Sequence, residues 1–219
     1  FLMIRRPPRS TSKPSSAASD VYKRQVSLNE VAQVLRGYTP GWHEYVDVGV
    51  PALKVRNLTN RFINFSFERR GFVPREIYDR HREAQVKLYD ILLTASAHKQ
   101  EYIARKIDIV DVLPAQECMA VAELLIIRPD PAKINPFYLL SALRTKEINE
   151  QFRSCIKGTT AHIYPDDVGR NVFVPRLAPQ AEEEIGNTLK KSLEVFRQFE
   201  AEYDRYEQMQ KRLLAEESR

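Results

Sequence analysis

Metal and disulfide chemistry is thinly supplied in this chain. Its 219 residues hold two cysteines, Cys118 and Cys155, with no C-x-x-C spacing. They read as two reduced, partly buried thiols, not as a disulfide framework or a zinc site. The four histidines, His43, His81, His98 and His162, show no H-E-x-x-H or other ligand spacing, so a metal centre is not expected. No G-x-S-x-G elbow, G-x-G-x-x-G turn or G-x-x-x-x-G-K-[ST] loop occurs, which removes the usual hydrolase, dinucleotide and nucleoside-triphosphate signatures. No apolar run approaches the ~20 residues of a membrane span. Near the N-terminus Leu2-Met3-Ile4 runs straight into Arg5-Arg6-Pro7-Pro8, which is no secretory core. Pro7, Pro8 and Pro14 also forbid the amphipathic helix of a mitochondrial presequence.

What stands there instead is basic and rich in Pro and Ser. A disordered arm that binds nucleic acid would fit. However, Met3–Thr11 and Ser15–Gln25 resemble translated adaptor sequence of the kind used in short-read sequencing libraries, the second ending in a transposon end. Residues 1–25 are therefore read as a non-native, disordered segment and set aside from the fold. Doing so removes six basic residues (Arg5, Arg6, Arg9, Lys13, Lys23, Arg24) and one acid, Asp20. The whole chain carries 34 Lys+Arg against 29 Asp+Glu, and the remainder 28 against 28. The basic balance thus belongs to the excluded segment and says nothing about nucleic acid. The remaining sequence starts near Val26 without an initiator Met, so the natural protein is expected to extend upstream.

Composition shifts near Pro179. Before it, strands, turns and short helices are expected. "LNEVAQVLRG" is a short apolar segment closed by Gly37, followed by the polar-aromatic loop "YTPGWHEYVDVG". "PALKVRNLT" alternates Leu53 and Val55 as a strand would, and "RFINFSFERRGFVP" alternates Phe62, Phe65 and Phe67. "EIYDRHREAQVKLYDILLTAS" begins helical and ends as a strand, Asp90 to Thr94. "YIARKIDIV" and "MAVAELLIIRPD" are β-rich runs. "INPFYLLSALRTKEINEQFRSCIKG" reads as one helix, capped by Asn135, with Pro136 in its first turn and Gly158 beyond its end. "AHIYPDDVGRNVFVPRLAP" adds a short strand. The fold class is α/β with a mixed sheet, residues 26–177, followed by a long helical segment, 178–219.

That last segment is the clearest pattern. From Ala181, apolar residues fall at Ile185, Leu189, Leu193, Phe196, Phe199, Tyr203, Tyr206, Met209 and Leu213. Alternating steps of three and four make the seam of a helix packed lengthwise on another. Uninterrupted for about 38 residues, it would run about 57 Å at 1.5 Å per residue and should project from the domain. The seam's partner is expected to be a helix outside this sequence or from another chain.

Catalytic readings do not gather around these elements. "NPFY" at Asn135–Tyr138 comes near the Asn-Pro-Pro-Tyr/Phe loop of amino-methyltransferases, but Phe137 replaces the second proline and an amphipathic helix follows, so Asn135 reads as a cap. Asp108/Asp111 and Asp166/Asp167 lack the Glu-x-Lys of a nuclease and read as turn and cap residues.

The order of segments resembles the DNA specificity subunit of type I restriction-modification systems: one target recognition domain with its spacer helix. "LNEVAQVLRGYTP", "PALKVRNLT", "VKLYDILLTAS", "NPFYLLSALRTKEI" and "IKGTTAHIYPDDVGRNVFVPRLAPQAEEEI" carry the resemblance, from Leu28 onward. The sequence departs from the family at Tyr89, where Gly is usual, and at "AHKQEY", where a Gly-rich turn is expected. The resemblance implies a cytoplasmic prokaryotic protein that is not an enzyme and carries no cofactor of its own. It would read one half of a bipartite site on double-stranded DNA. Its partners would be methyltransferase subunits, which carry S-adenosylmethionine, a restriction subunit, and a second recognition domain or helix; no membrane is involved. Alternatives are the recognition region of a single-chain restriction-methyltransferase and a coiled-coil scaffold with no DNA role.

Candidate DNA contacts are Tyr38 and Trp42 in "YTPGWHEY", beside His43; Lys54, Arg56 and Asn57 in "KVRN"; His98, Lys99 and Gln100 in "AHKQ"; and Lys157, Thr159 and Thr160 in "KGTT". Arg and Asn suit bidentate purine contacts, and Lys and Thr suit phosphates. Arg69, Arg70, Arg75, Arg80 and Arg82 lie among acids and are weaker candidates. Residues 26–177 carry 21 basic against 18 acidic residues and the helical segment 7 against 10, so affinity has to come from local clusters.

Overall fold

A computed structural model of the chain describes residues 24–113 and 117–217. Of the segment set aside above, all but Arg24 and Gln25 lies outside the described residues.

The chain enters as strand β1 (Gln25–Ser27), a single turn α1 (Leu28–Val31) and β2 (Ala32–Arg36). Glu30 accepts the Ser27 backbone N–H at 2.8 Å and its hydroxyl at 2.9 Å, which closes the start of that turn. There follow β3 (Val50–Leu53), β4 (Phe72–Val73), α2 (Arg75–Arg80), β5 (Ile91–Thr94), β6 (Ser96–Ala97), β7 (Ile107–Ile109), β8 (Met119–Ala120) and β9 (Leu124–Pro129). Helices α3 (Pro136–Leu143) and α4 (Lys146–Ser154), strand β10 (Ala161–His162), helix α5 (Pro165–Asn171) and strand β11 (Phe173–Pro175) lead into α6 (Pro179–Glu217).

Four antiparallel strands in the order β2-β9-β5-β7 form the central sheet. The register sets Ile91 opposite Ile127, Leu92 opposite Ile126 and Leu93 opposite Leu125. Because successive side chains point to opposite faces, Ile91, Leu93, Leu125 and Ile127 pack with α3 and α4. Leu92, Leu124 and Ile126 pack instead with Leu53 and Leu58 on the other face. Both faces being covered is why "DILLT" and "ELLIIRP" read as unbroken apolar runs. A three-stranded sheet, β4-β3-β8, has one antiparallel pair and one parallel pair, so the domain is of mixed type. The pairs β1–β11 and β10–β6 complete it. The β1–β11 ladder reaches Gln25, opposite Pro175, through backbone groups that any residue could supply.

The outer edge of β7 is closed by side chains, not by another strand. Asn60 Oδ1 accepts the Ile107 N–H at 2.9 Å, and the Asn60 N–H donates to Asp108 at 2.8 Å. From the other side Arg144 donates to the Ile107 carbonyl at 2.7 Å and to Asp108 Oδ1 at 2.8 Å. A sheet edge covered in this way cannot template further strands.

Three sequence expectations change. "PALKVRNLT" stops being a strand at Leu53, since Val55–Asn57 coil into a 3-10 turn whose Asn57 side chain accepts the Lys54 N–H. "RFINFSFERR" is irregular up to β4. The single helix expected after Asn135 is two, because Thr145 is extended and its hydroxyl caps α4 at Ile148, while Arg144 turns aside to hold β7. The Asn135 cap itself is present, with Oδ1 accepting from the Phe137 and Tyr138 N–H groups at 2.9 and 3.1 Å.

Tyr89 takes φ +68°, the left-handed region that favours Gly, and its ring packs edge-on to Phe137 at 5.5 Å. The carbonyl of Val110 receives its N–H at 2.8 Å. Among the described residues no helix is long and apolar enough to cross a membrane.

Two outcomes are expected. Burial raises Asp108 above its ordinary value, with the Asn60 N–H and Arg144 pulling the other way. Arg144→Met would leave that fully buried carboxylate without its counter-charge, at a cost of about 3 kcal/mol near pH 7. The folded chain holds the Asp108 proton to a higher pH than the unfolded chain does. The deficit should therefore shrink as pH falls through the folded pKa and the carboxyl neutralises. Urea melts showing the same deficit at pH 7 and pH 4 would contradict this. Second, Cys118 is fully buried and burial pushes its thiol up to about 12. It should react with a thiol reagent at the rate of unfolding, and rapid labelling of native chain would show the core reading to be wrong.

Candidate nucleic-acid interface

Strands β2, β3, β5 and β8 all finish, and β9 begins, at one end of the domain. The turn between β8 and β9 ties them together. Arg36, the last residue of β2, donates from Nε to the Ala122 carbonyl at 3.3 Å. Leu53 of β3 accepts the Val121 N–H at 3.0 Å, and the Ala95 and Ser96 N–H groups reach Glu123 O at 2.8 and 3.3 Å. Tyr38 N–H bonds Ala120 O at 3.0 Å. The loops bearing most of the predicted contacts leave from this shared turn.

On one side lie the loops after β2 and β3. Trp42 is 76% exposed, with the Arg70 guanidinium 5.9 Å from its ring and His43 edge-on. Lys54 sits with Nζ 4.1 Å over the Tyr45 ring. Burial lowers the Lys54 pKa, Arg56 lowers it further, and Glu123 opposes both. Arg56 is exposed and pairs with Glu68. Lys54, Arg56, Arg69 and Arg70 line a shallow cleft with Ser66 and Phe67. Tyr38 is half-buried, stacked on His81 at 3.5 Å between ring centroids, with its hydroxyl donating to Glu44 at 3.3 Å. Asn57 is 4% exposed. Its Nδ2 donates to Asn64 O at 2.7 Å and its Oδ1 accepts from Lys54, so its amide holds the loop and is not presented for base contact. Arg75 pairs with Glu117.

On the other side β6 pairs with β10, Ala97 opposite Ala161. Carried one residue further, that register sets His98 level with Thr160. The two predicted groups, His98–Gln100 and Lys157–Thr160, therefore meet at one hairpin end, and all of them are exposed. Gly158, at φ +82°, makes the tight reversal there. Lys157 is bound to Asp167 at 2.6 Å, which leaves His98, Lys99, Gln100, Thr159 and Thr160 as the open polar groups of this tip. Four residues that were not among the predicted contacts join them. The Arg36 guanidinium lies 5.4 Å over the exposed Tyr164 ring, Tyr164 neighbours His162 at 6.4 Å, and His162 Nδ1 is 2.8 Å from Ser96 Oγ. No spacing in the sequence links Arg36 to Tyr164; only the sheet brings them together. Cations, aromatic faces and amide or hydroxyl donors at one end can contact phosphates and base edges. Among the described residues no three His, Cys, Asp or Glu converge on a metal position.

The helical seam divides in two. On α6 Leu193 is buried, Leu189 packs on the core and Gly186 lies so close to Asn135 that a Cβ there would overlap its side chain. Asn135 Nδ2 donates to Glu183 at 2.8 Å. The partner of this half is thus α3 of the same chain, contrary to the sequence reading. Leu139, Leu140 and Leu143 leave α3 apolar enough to face the sheet and α6 at once. Phe196 meets Phe62 at 5.9 Å. From Phe199 the seam is open, with Phe199 60% and Tyr203 50% exposed, Tyr206, Met209 and Leu213 similarly, and Ile185 on the rim of the seated half. Rings 196, 199, 203 and 206 follow one another at 6.0–6.4 Å.

No family model matches this chain, and no curated protein matches it. Among solved structures it is similar to the HsdS subunit from Thermoanaerobacter tengcongensis, with a TM-score of 0.50 and 17% identity over 78% of this chain and 37% of that one. It is also similar, at a TM-score of 0.49 and 17% identity, to a chain from a structure describing assembly and conformational transition of the type I R-M system, over 84% of this chain and 42% of that chain. The type I restriction-modification S subunit from M. genitalium gives 0.48 and 12%, over 75% and 37%. The chain spans less than half the length of each, and at these identities the likeness is one of fold: a mixed α/β domain followed by a long helix.

Asn57→Ala should cost about 1–3 kcal/mol, since it strands the Lys54 N–H and the Asn64 carbonyl in a part-buried loop. Thermal melts check the cost, and a neutral result would return Asn57 to the list of available side chains.

Proposed function

We propose that the chain is a target recognition half of a type I restriction-modification specificity subunit, a non-catalytic reader of double-stranded DNA in the prokaryotic cytoplasm. The observation that carries this reading is the divided helix: seated on its own domain for half its length and bare along an aromatic seam for the rest, in a fold like that of an HsdS subunit. A rod of this kind suits a protein that holds a reading surface at a set distance from something else.

In this reading the end of the domain bearing Trp42, Arg70, Lys54, Lys99 and the 157–160 hairpin faces DNA. The bare seam receives a second helix, from the same or another chain, as a coiled coil. An antiparallel helix centred on Tyr206 would put Glu200 opposite Arg212, which agrees in charge. The methyltransferase subunits that would bind this assembly carry S-adenosylmethionine, and the restriction subunit joins them, so methylation and phage defence belong to the complex. With 21 basic against 18 acidic residues in the domain, attraction to DNA is local and modest.

The test is duplex binding by the full chain with methyltransferase subunits over a salt series. Affinity should fall linearly on a log–log plot with a slope of about −0.9 per phosphate contacted. Lys99→Ala and Arg70→Ala should each flatten that slope by about 1. Absence of DNA binding in the assembled mixture would reject the reading. Helix-mediated association alone would favour a scaffold.

A further inference from the structure

The last contact between α6 and the domain is built from residues far apart in sequence and unlike the seam beneath it. Asp111, just past β7, is 8% exposed and Arg197 of α6 is 23% exposed. The Arg197 Nε donates to Asp111 Oδ2 at 2.6 Å and a second N–H of the same guanidinium donates to Oδ1, a two-pronged pair. Beside it two rings and two guanidinium groups are exchanged. Phe62 of the domain meets Phe196 of the helix, the Arg61 guanidinium covers the Phe196 ring at 5.0 Å, and that of Arg197 lies at 5.4 Å from the Phe62 ring. Five side chains from three segments thus converge on one turn of the helix.

Its position matters. The first anchor of α6 is at Asn135 and Gly186, and this second one lies about 16 Å further along at 1.5 Å per residue. Two anchors on a rigid rod fix a direction, where one anchor would leave a pivot. Beyond Arg197 about 20 described residues continue, about 30 Å of helix on which Phe199, Tyr203, Tyr206, Met209 and Leu213 are each half or more exposed. Were the second anchor released, a swing of about 20° about the first, with about 46 Å of helix beyond Gly186, would move the far end by about 16 Å, the length of about five base pairs at 3.4 Å each.

We propose that Arg197, Asp111, Phe62, Phe196 and Arg61 form a clamp that fixes the angle between the domain and the bare half of α6, and are positioning residues for half-site spacing. The last clause rests on the function proposed above; the clamp itself does not. The clamping segment is also tied to the candidate DNA surface. Leu58–Ser66 runs from the 3-10 turn beside Lys54 and Arg56, held by Asn57 to Asn64, out to Arg61 and Phe62 on the helix. The loop that supports the cleft of basic residues is the loop that grips the rod.

The experiment measures the angle directly, on the full chain without DNA. Spin labels at Glu76→Cys on α2 and Gln208→Cys on the bare half, diluted with unlabelled chain, report one intramolecular distance. A narrow distribution is expected for the parent, and one broadened or shifted by several ångströms for Asp111→Ala and for Phe62→Ala. The reciprocal pair Asp111→Arg with Arg197→Asp should narrow it again. Circular dichroism and protection of the Cys118 thiol identify a variant that has merely unfolded, and the other variant then decides. An unchanged distribution in folded Asp111→Ala and Phe62→Ala overturns the clamp. In the assembled complex the released variants should accept half-site spacings that the parent rejects. If the complex binds no DNA while the distances broaden, the clamp stands and the functional reading falls.

Discussion

The side-chain amide of Asn135 serves two helices at once. Its oxygen takes the first N–H groups of α3, which have no partner within the helix, while its nitrogen donates to Glu183 on α6. Gly186 lets the α6 backbone close against that amide where any larger residue would overlap it. The residue that starts the helix under the sheet is thus also the one that seats the rod on the domain. Where α6 is seated on the domain follows from this contact, and its direction takes the Arg197–Asp111 contact as well.

Three buried carboxylates paired with arginines carry the same logic through the domain. Asp90 accepts from Arg128 of β9, Asp108 from Arg144 after α3, and Glu182 from Arg176 ahead of α6. Each arginine also reaches a backbone carbonyl, of Gln85, Ile107 or Lys133, which helps satisfy its remaining donors. These pairs contribute less to net stability than the apolar core does, because removing charges from water offsets most of their attraction. Each ties one segment of the fold to another: the residue before β5 to β9, β7 to the end of α3, and the approach to α6 to its first turn. Arg197 with Asp111 extends the series to the last turn of α6 that touches the domain.

Some of this was legible in the residues alone. Asn135-Pro136 reads as a helix start because an acceptor side chain followed by a residue without an N–H suits a helix N-terminus. The seam from Ile185 to Leu213 reads as a long helix because its steps of three and four recur with no Gly after Gly186 and no Pro at all. The strand reading of "KVRN" failed because alternation over so few residues does not separate a strand from a 3-10 turn; Asn57 closes that turn with its own side chain. The helix after Asn135 was read too long because Thr145 is an acceptable helix residue as well as a good cap; in the fold it is extended and caps the second helix, while Arg144 before it is bonded to Asp108 and Ile107. Of the candidate contacts, Trp42 and Lys99 are exposed, whereas Tyr38 and Asn57 are committed to their own loops.

By itself the sequence determined the local periods: apolar runs for strands covered on both faces, a seam for the rod, and caps where an acceptor side chain precedes a helix. Those depend on neighbours in the chain. Only the tertiary structure decided that Arg36 meets Tyr164, that the "AHKQ" and "KGTT" segments share one hairpin end, and that half of the seam is satisfied by α3 while the other half stays open. Each of these rests on strand register and on a helix packing distance that a single small residue, Gly186, permits, and neither leaves a trace in the spacing of residues along the chain.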